Sequence, residues 1–556
     1  MINTIQASQL DSSSKVKTFQ FNQVQISLLE AAVILAFAFL PLFLNYPYRI
    51  NIFLSWEGAY RLYLGHVPYK DFGLPMGYAY WVIPALFFKI FGPYMFTLIK
   101  AQVFMNLVAG FAFRSLLQAF KLESGKRLVL VVFFCLTYLF FNFWPWYNQS
   151  VFIYELIGIA FLMHGFTTQK AIRRWVYVSL AGFFVLVSFL TKQDGGGLAF
   201  VLCAVLSGYM SIAERKPAFF AIFVLSFIIS AAALILPFLP HDFLYWFNYG
   251  QDPHYSRMSS GDILNEFFSG SQWIKFYAVV LTLLYVNKLS HWRDIFSNSR
   301  DTLFYLLCMG ILVQAAIIQV TSYIPADNNI YFHSFALAYA MHTIQFKFNF
   351  NRLLPLTASI VVIFFWWSGT YYKYIQKVVN RYLPQTTASA AKANVVSKNT
   401  FTYKQEKSVW TGVNVGSWIE LPDSKAFARI SMPKETVAGI QKLKKMPAFA
   451  PGANARILNM TELTPLAYEL GFEPEKGTPL WYHLNVSMFD REMDFYKSRI
   501  NSHYYDVVLF EYIPDLNNFY PFELRDMLQQ EYALEDSFFA PRPQNNTFIE
   551  VYVKKK

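Results

Sequence analysis

Cysteine is nearly missing from this chain. There are three in 556 residues, Cys135, Cys203 and Cys308, each inside an apolar run and far from the others. Their spacing excludes a disulfide scaffold and a cysteine metal site, and leaves three small buried hydrophobes. Charge is also scarce. Asp, Glu, Lys and Arg make up 15% of the chain, against roughly 25% in a soluble protein. What is abundant is apolar: 55% of residues are hydrophobic and 19% aromatic, including 58 Phe, 36 Tyr and 13 Trp. That balance excludes disorder, collagen, coiled coil and a purely soluble fold.

The charge that exists is uneven. The formal net charge is +12. Residues 380–556 hold 21 basic and 20 acidic side chains, so residues 1–379 carry +11 of it. A pI of 9.2 would suit a nucleic-acid binder. Here the excess sits in short loops between apolar runs, which is the pattern by which membrane proteins orient. No nucleic-acid partner is expected.

Eleven runs approach the ~20 residues a bilayer core requires: 28–45, 94–120, 128–145, 149–166, 176–191, 195–212, 218–237, 273–289, 302–320, 331–346 and 353–371. The run 78–91 carries Pro84 and is short, and reads as a helix lying in the interface. With the N-terminus inside, the inner loops and the N-terminal segment collect 15 basic residues, from Lys15 and Lys17 to Lys347 and Arg352. The outer short loops 145–148, 192–194 and 321–330 hold only Lys192. Counting 78–91 as a span would invert every later loop and break the rule. The scheme is a cytoplasmic segment 1–27, a membrane domain 28–371, a linker 372–410 and a domain 411–556. It puts the first loop 46–93, the loop 238–272 and everything after 372 outside. In the tail, strand-like runs alternate with helical ones, which predicts a small α/β domain with a mostly parallel sheet. It lacks G-x-G-x-x-G and a P-loop, so no nucleotide site is expected there. The fold class is an all-α polytopic membrane domain of about eleven helices plus a C-terminal soluble α/β domain.

The chemistry-bearing stretch is SWEGAYRLYLGHVPYKDFGLPMGYAYW, residues 55–81. Glu57, Tyr60, Arg61 and Leu64 have i, i+3, i+4, i+7 spacing, and Gly65 would end that helix. A carboxylate held among aromatics at a membrane surface can serve as a general base. The plainer alternative makes Glu57 and Arg61 a helix ion pair and Asp71 a turn cap. Lys192 breaks the charge pattern at an outer span end. It either pairs with Asp194 or binds an anion, with His333 and Arg257 as possible helpers. Glu155, His164, Gln314 and His342 lie in or near spans, where interhelical hydrogen bonds are the ordinary role. His241 and Asp242 follow Pro240 and could cap a helix; His254 shares their loop.

The order W-E-G-A-Y, then G-H-V-P-Y-K-D-F, then a proline-bearing aromatic helix closing on I-F-G, resembles the first external loop of GT-C superfamily integral-membrane glycosyltransferases. The bacterial protein O-mannosyltransferase and lipid A aminoarabinose transferase types are meant. T-K-Q-D-G at 191–195 and Y-F-H-S-F at 331–335 echo later elements of that family. The resemblance implies transfer of a sugar from a polyprenyl-phosphate donor to a glycan, lipid or protein acceptor, with inversion, at the outer face of a bacterial cytoplasmic membrane. The tail would then be periplasmic. Glu57 would be the catalytic base and Asp71 its companion in the loop, with Tyr60, Arg61, Lys70, Lys192, Asp194, Arg257 and His333 toward substrate. The family often has Asp before that Glu; here Trp56 stands there. No cofactor is assigned, and a divalent metal is left open. The alternative function is a transporter or lipid-linked-saccharide flippase.

Overall fold

The computed structural model describes residues 19–48, 52–247, 260–322, 330–369, 371–372, 375, 417–514, 521–542 and 547–555. The main helices up to residue 366 are α1 (Gln23–Phe39), α2 (Ile52–Tyr63), α3 (Ala79–Phe91), α4 (Met95–Ala119), α5 (Ser124–Cys135), α6 (Tyr147–Thr167), α7 (Ala171–Phe189), α8 (Gln193–Ala213), α9 (Ala218–Ile235), α10 (Ser260–Phe268), α11 (Gln272–Val286), α12 (Ser299–Ser322), α13 (Ile330–Thr343) and α14 (Leu353–Trp366). All eleven apolar runs therefore contain a helix, and the protein is a multi-pass helical membrane protein.

Not all of them are full spans. Among the described residues seven helices are long and apolar enough to cross a bilayer, and α10 with α11, bent by 65° at a short break, would make an eighth. Four of the eleven runs, at 128–145, 273–289, 331–346 and 353–371, hold shorter helices among the described residues. α5 stops at Cys135 because Leu136 is followed by an extended Thr137. Its 12 residues give roughly 18 Å at the helical rise, well under the ~30 Å hydrocarbon core. α5 tolerates this because it is buried all round inside the bundle. Its first turn also corrects the loop reading of Arg127. That guanidinium is buried and bonds the Glu30 carboxylate of α1 at 2.7 Å, while Arg114 of α4 takes the other oxygen at 2.6 Å. α9 is the opposite case. Only Phe219 and Phe223 are buried, and Leu225, Ile228 and Ile229 are exposed, as a lipid-facing helix requires.

The strands are β1 (Tyr46–Pro47), β2 (Phe72–Gly73), β3 (Ile419–Glu420), β4 (Ile430–Met432), β5 (Ile457–Met460), β6 (Thr478–Pro479), β7 (Val507–Tyr512), β8 (Tyr532–Phe539) and β9 (Phe548–Lys554). The tail sheet has the order β5-β7-β9-β8. Only β5 and β7 run parallel; β7–β9 and β8–β9 are antiparallel. The expected mostly parallel sheet is corrected for two reasons. His483–Phe489 forms no strand beyond a single Leu484–Met488 bridge. Tyr532–Phe539, which was not read as a strand, pairs with β9 as a hairpin. Helices α15 (Lys434–Leu443), α16 (Asp490–Asn501) and α17 (Phe522–Glu531) pack on this sheet.

The first loop and the tail are built together. β1 pairs with β4, and β2 with β6, both parallel. Trp56, Tyr60, Phe88 and Met95 share one apolar core with Phe427, Ile440, Leu463 and Val551. A parallel pairing needs a crossover between its strands; here the crossover from β1 to β4 holds the helices from α2 onward, and that from β2 to β6 those from α3 onward.

Candidate active site

Helix α2 is buried along Ile52–Arg61. Gly58 lets it lie flat on Trp81, whose ring would stand 2.2 Å from any Cβ there. The Trp81 indole donates to Leu54 O at 2.9 Å. Trp56 turns into the core, donating to Pro93 O at 3.1 Å and stacking on Tyr60 at 4.5 Å. On its neighbouring face the helix presents Glu57 and, one turn on, Arg61 to the tail. Arg61 Nε and Nη2 donate to Glu57 Oε1 at 2.9 and 2.8 Å. Its Nη1 donates to Glu475 O at 2.6 Å, and Nη2 also reaches Thr478 Oγ1 at 3.2 Å. Burial raises the Glu57 pKa, against the pull of Arg61. Beside the pair is a cavity of about 20 Å³, room for about one water. Gly65 ends this stretch at φ +86, as its position predicts. Next to it, His66 Nε2 meets Glu473 Oε1 at 2.8 Å, and burial lowers the His66 pKa.

Asp71 closes a turn. Its Oδ2 accepts Val67 N–H at 2.8 Å, and its own N–H donates to Val67 O at 2.8 Å. This is the cap geometry weighed from sequence. Tyr69, within the turn, sits at φ 65. Asp71 O accepts Gly477 N–H at 2.7 Å, which ties the turn to the tail. Lys70 is exposed.

Lys192 and Asp194 have different neighbours from Glu57. Lys192 Nζ lies 2.9 Å from Asp194 Oδ2 and 6.0 Å from the Tyr147 ring centroid. Both side chains are largely buried. They sit where the first loop meets the α7–α8 turn: Ala79 N–H donates to Leu190 O at 3.0 Å, and a Cβ on Gly77 would fall 1.6 Å from that oxygen. The Gln193 amide reaches Pro75 O and Phe247 O at 3.4 and 3.3 Å. His333 is packed in aromatic rings, stacked on Trp273 at 4.2 Å with Nδ1 3.1 Å from the Tyr277 hydroxyl. Arg257 and His254 lie outside the described residues.

The other polar residues take interhelical partners: Glu155 with Gln314 at 2.7 Å, His164 with Ser115 at 2.6 Å, His342 with Asp301 at 2.9 Å. The capping reading of Asp242 is corrected. Its carboxylate makes no cap and pairs with Arg491 of the tail at 2.9 Å. Sequence reasoning missed Glu473, Glu475 and Thr478. They lie in a Gly/Pro-punctuated loop more than 400 positions from their partners, and no local pattern signals such a pairing. Among the described residues no group of three His, Cys, Asp or Glu could hold a metal. At Glu57 the preceding residue is Trp56 rather than a second acid, and Arg61 takes one carboxylate oxygen, Oε1.

No family model and no curated protein matches the chain. Solved structures similar to it include the following two. The Archaeoglobus fulgidus oligosaccharyltransferase has 9% identity and a TM-score of 0.41, over 95% of this chain and 73% of that one. ArnT from Cupriavidus metallidurans has 9% identity and a TM-score of 0.40, over 94% and 97%. At that level neither assigns a residue.

Proposed function

We propose that this chain is a membrane glycosyltransferase. It takes a sugar from a polyprenyl-phosphate donor and passes it to an acceptor hydroxyl at the outer face of the bacterial cytoplasmic membrane. The acceptor oxygen attacks C1, the C1–O bond to phosphate breaks, the anomeric centre inverts and polyprenyl phosphate leaves. The observation that carries this reading is Glu57. It is a buried external carboxylate with its pKa raised toward the working range of a general base, at the edge of a cavity beneath the tail. In this reading Glu57 accepts the hydroxyl proton, and Arg61 orients it.

Donor phosphate needs a cation, since charge builds on the leaving group. Lys192 supplies it, at the head of α8 beneath the first loop. His333 is left out of the phosphate site because its ring is packed and its Nδ1 is engaged. Lys192→Ala should raise KM for a polyprenyl-phosphate sugar or lower kcat while folding is kept. If it changes only thermal stability, and Asp194→Ala reproduces that change, the pair is structural. The bent α10–α11 pair is the feature that favours a transporter, since transporters use broken helices. Sugar-dependent accumulation in proteoliposomes, unaffected by Glu57→Gln, would decide for transport. Loss of an envelope glycan on deletion of the gene, restored by wild type but not by Glu57→Gln, would decide for transfer.

A further inference from the structure

The tail carries a groove of about 910 Å³, within the range of small-molecule sites. Lys444 and three stretches build it: the turn-rich segment 448–457, the segment 468–476 and the end of α16 with the residues after it. Ile457, Phe472, Pro474 and Glu475 line both this groove and the cavity beside Glu57. The two are therefore neighbours across one wall.

The groove's charges are unevenly engaged. Its three acids each have a close partner. Glu469 binds Lys444 and the Ser424 hydroxyl. Glu475 binds Arg499 and the Tyr505 hydroxyl. Glu473 binds His66 at 2.8 Å. Two cations are held only at the limit of an ion pair. Arg456 is 4.0 Å from Asp506 with its side chain 51% exposed, and Lys476 is 3.9 Å from Glu473 with its side chain 57% exposed. Tyr504 lies against two guanidiniums, Arg456 at 4.5 Å and Arg499 at 4.3 Å. Arg499 first, then Arg456, hold its phenol below the ordinary value, the mark of a positive potential on this wall. Phe472 and Phe449 add apolar faces, 6.1 Å apart.

A large, shallow site with half-exposed cations and aromatic faces suits a ring compound bearing an acid group. We propose that this groove binds an anionic saccharide, its carboxylate or phosphate held by Arg456 and Lys476 and its ring against Phe472, and that this saccharide is the acceptor. The last clause rests on the glycosyltransferase reading; the binding does not.

The test is calorimetric titration of the full chain in detergent at fixed ionic strength. The probes are trigalacturonic acid, glucose 6-phosphate, neutral maltotriose and inorganic phosphate. One or both acidic sugars should bind, and which one does so separates carboxylate from phosphate. The Arg456→Ala/Lys476→Ala variant should weaken that binding at least about tenfold with an unchanged Tm, because each lost contact is a charge-assisted hydrogen bond. Binding unchanged in that variant overturns the proposal, as does equal affinity for maltotriose, or no binding of either acidic sugar. Inorganic phosphate bound as tightly as the sugars would make the groove a plain anion site and overturns it too. The two readings fail separately. Saccharide binding without any transfer in the wild type sinks the glycosyltransferase. Transfer with an unchanged acceptor KM in the double variant sinks the assignment of the groove's saccharide as the acceptor.

Discussion

At the residue scale the question is what the Glu57–Arg61 pair does, because one geometry serves two roles. As a clamp, Arg61 joins α2 to the tail through Glu475 O and Thr478. Removing it leaves a buried carboxylate without compensation, which typically costs ~3–5 kcal/mol. Arg61→Ala should therefore lower the Tm by several degrees. Glu57→Gln keeps the shape and one acceptor oxygen. Its cost in stability should be smaller, while turnover falls ~10²–10⁴-fold if Glu57 is the base. Near-wild-type turnover in Glu57→Gln, together with a Tm loss matching Arg61→Ala, would leave only the clamp. The pH profile gives a second reading. Burial raises the Glu57 pKa from 4.5, and a base works only when deprotonated. The acid limb of kcat/KM should therefore lie above 4.5, and it should vanish from the residual activity of Glu57→Gln.

At the element scale, much of the first loop was legible because its signals are local. The i, i+4 spacing gave the Glu57–Arg61 pair, Gly65 gave the helix end, and the V-P-Y-K-D turn gave the Asp71 cap. What was not legible comes from contacts distant in sequence. Nothing around Gly77 says that Leu190 O will press on it, and nothing in the tail says that Glu473 will face His66. The end of α5 at Cys135 was not legible because an apolar run shows composition and not whether the helix continues through it. Gly77→Ala tests the loop contact. A Cβ cannot share space with a backbone oxygen, so the loop must shift, at ~1–3 kcal/mol or more for overpacking, and Lys192 below it loses its setting. Reduced Tm and reduced activity are expected together; an unchanged Tm would mean that the loop does not sit on the α7–α8 turn. The His66 contact is pH-dependent. Burial lowers the His66 pKa below 6.5, with Arg61 and Lys476 acting in the same direction and Glu473 opposing. Folding therefore favours the neutral ring. Its contribution is full above 6.5 and is lost as pH falls through the lower folded value. The Tm of wild type should drop over that interval more than the Tm of His66→Asn.

At the scale of the whole molecule, the tail joins distant elements: the first loop through β1–β4 and β2–β6, and the later loop through Asp242–Arg491. All three attachments require the tail to lie on the same side as both loops, so one orientation measurement fixes them together. The positive-inside pattern predicts that this side is the outer one. The native cysteines give a quiet background, since Cys135, Cys203 and Cys308 are all buried. Glu535 in β8 is exposed and Lys216 between α8 and α9 is half-buried, its side chain 43% exposed, and each can be changed to Cys without touching the site. In intact cells whose outer barrier has been made permeable, a membrane-impermeant maleimide should label Glu535→Cys at once and Lys216→Cys only after lysis. The reverse pattern would place Glu57, Lys192 and the tail groove inside, where soluble activated sugars can reach them. The structural reason for a lipid-linked donor would then be gone. Labelling of both sites before lysis would mean that the chain does not seal a membrane between them, and α8 could not be a span.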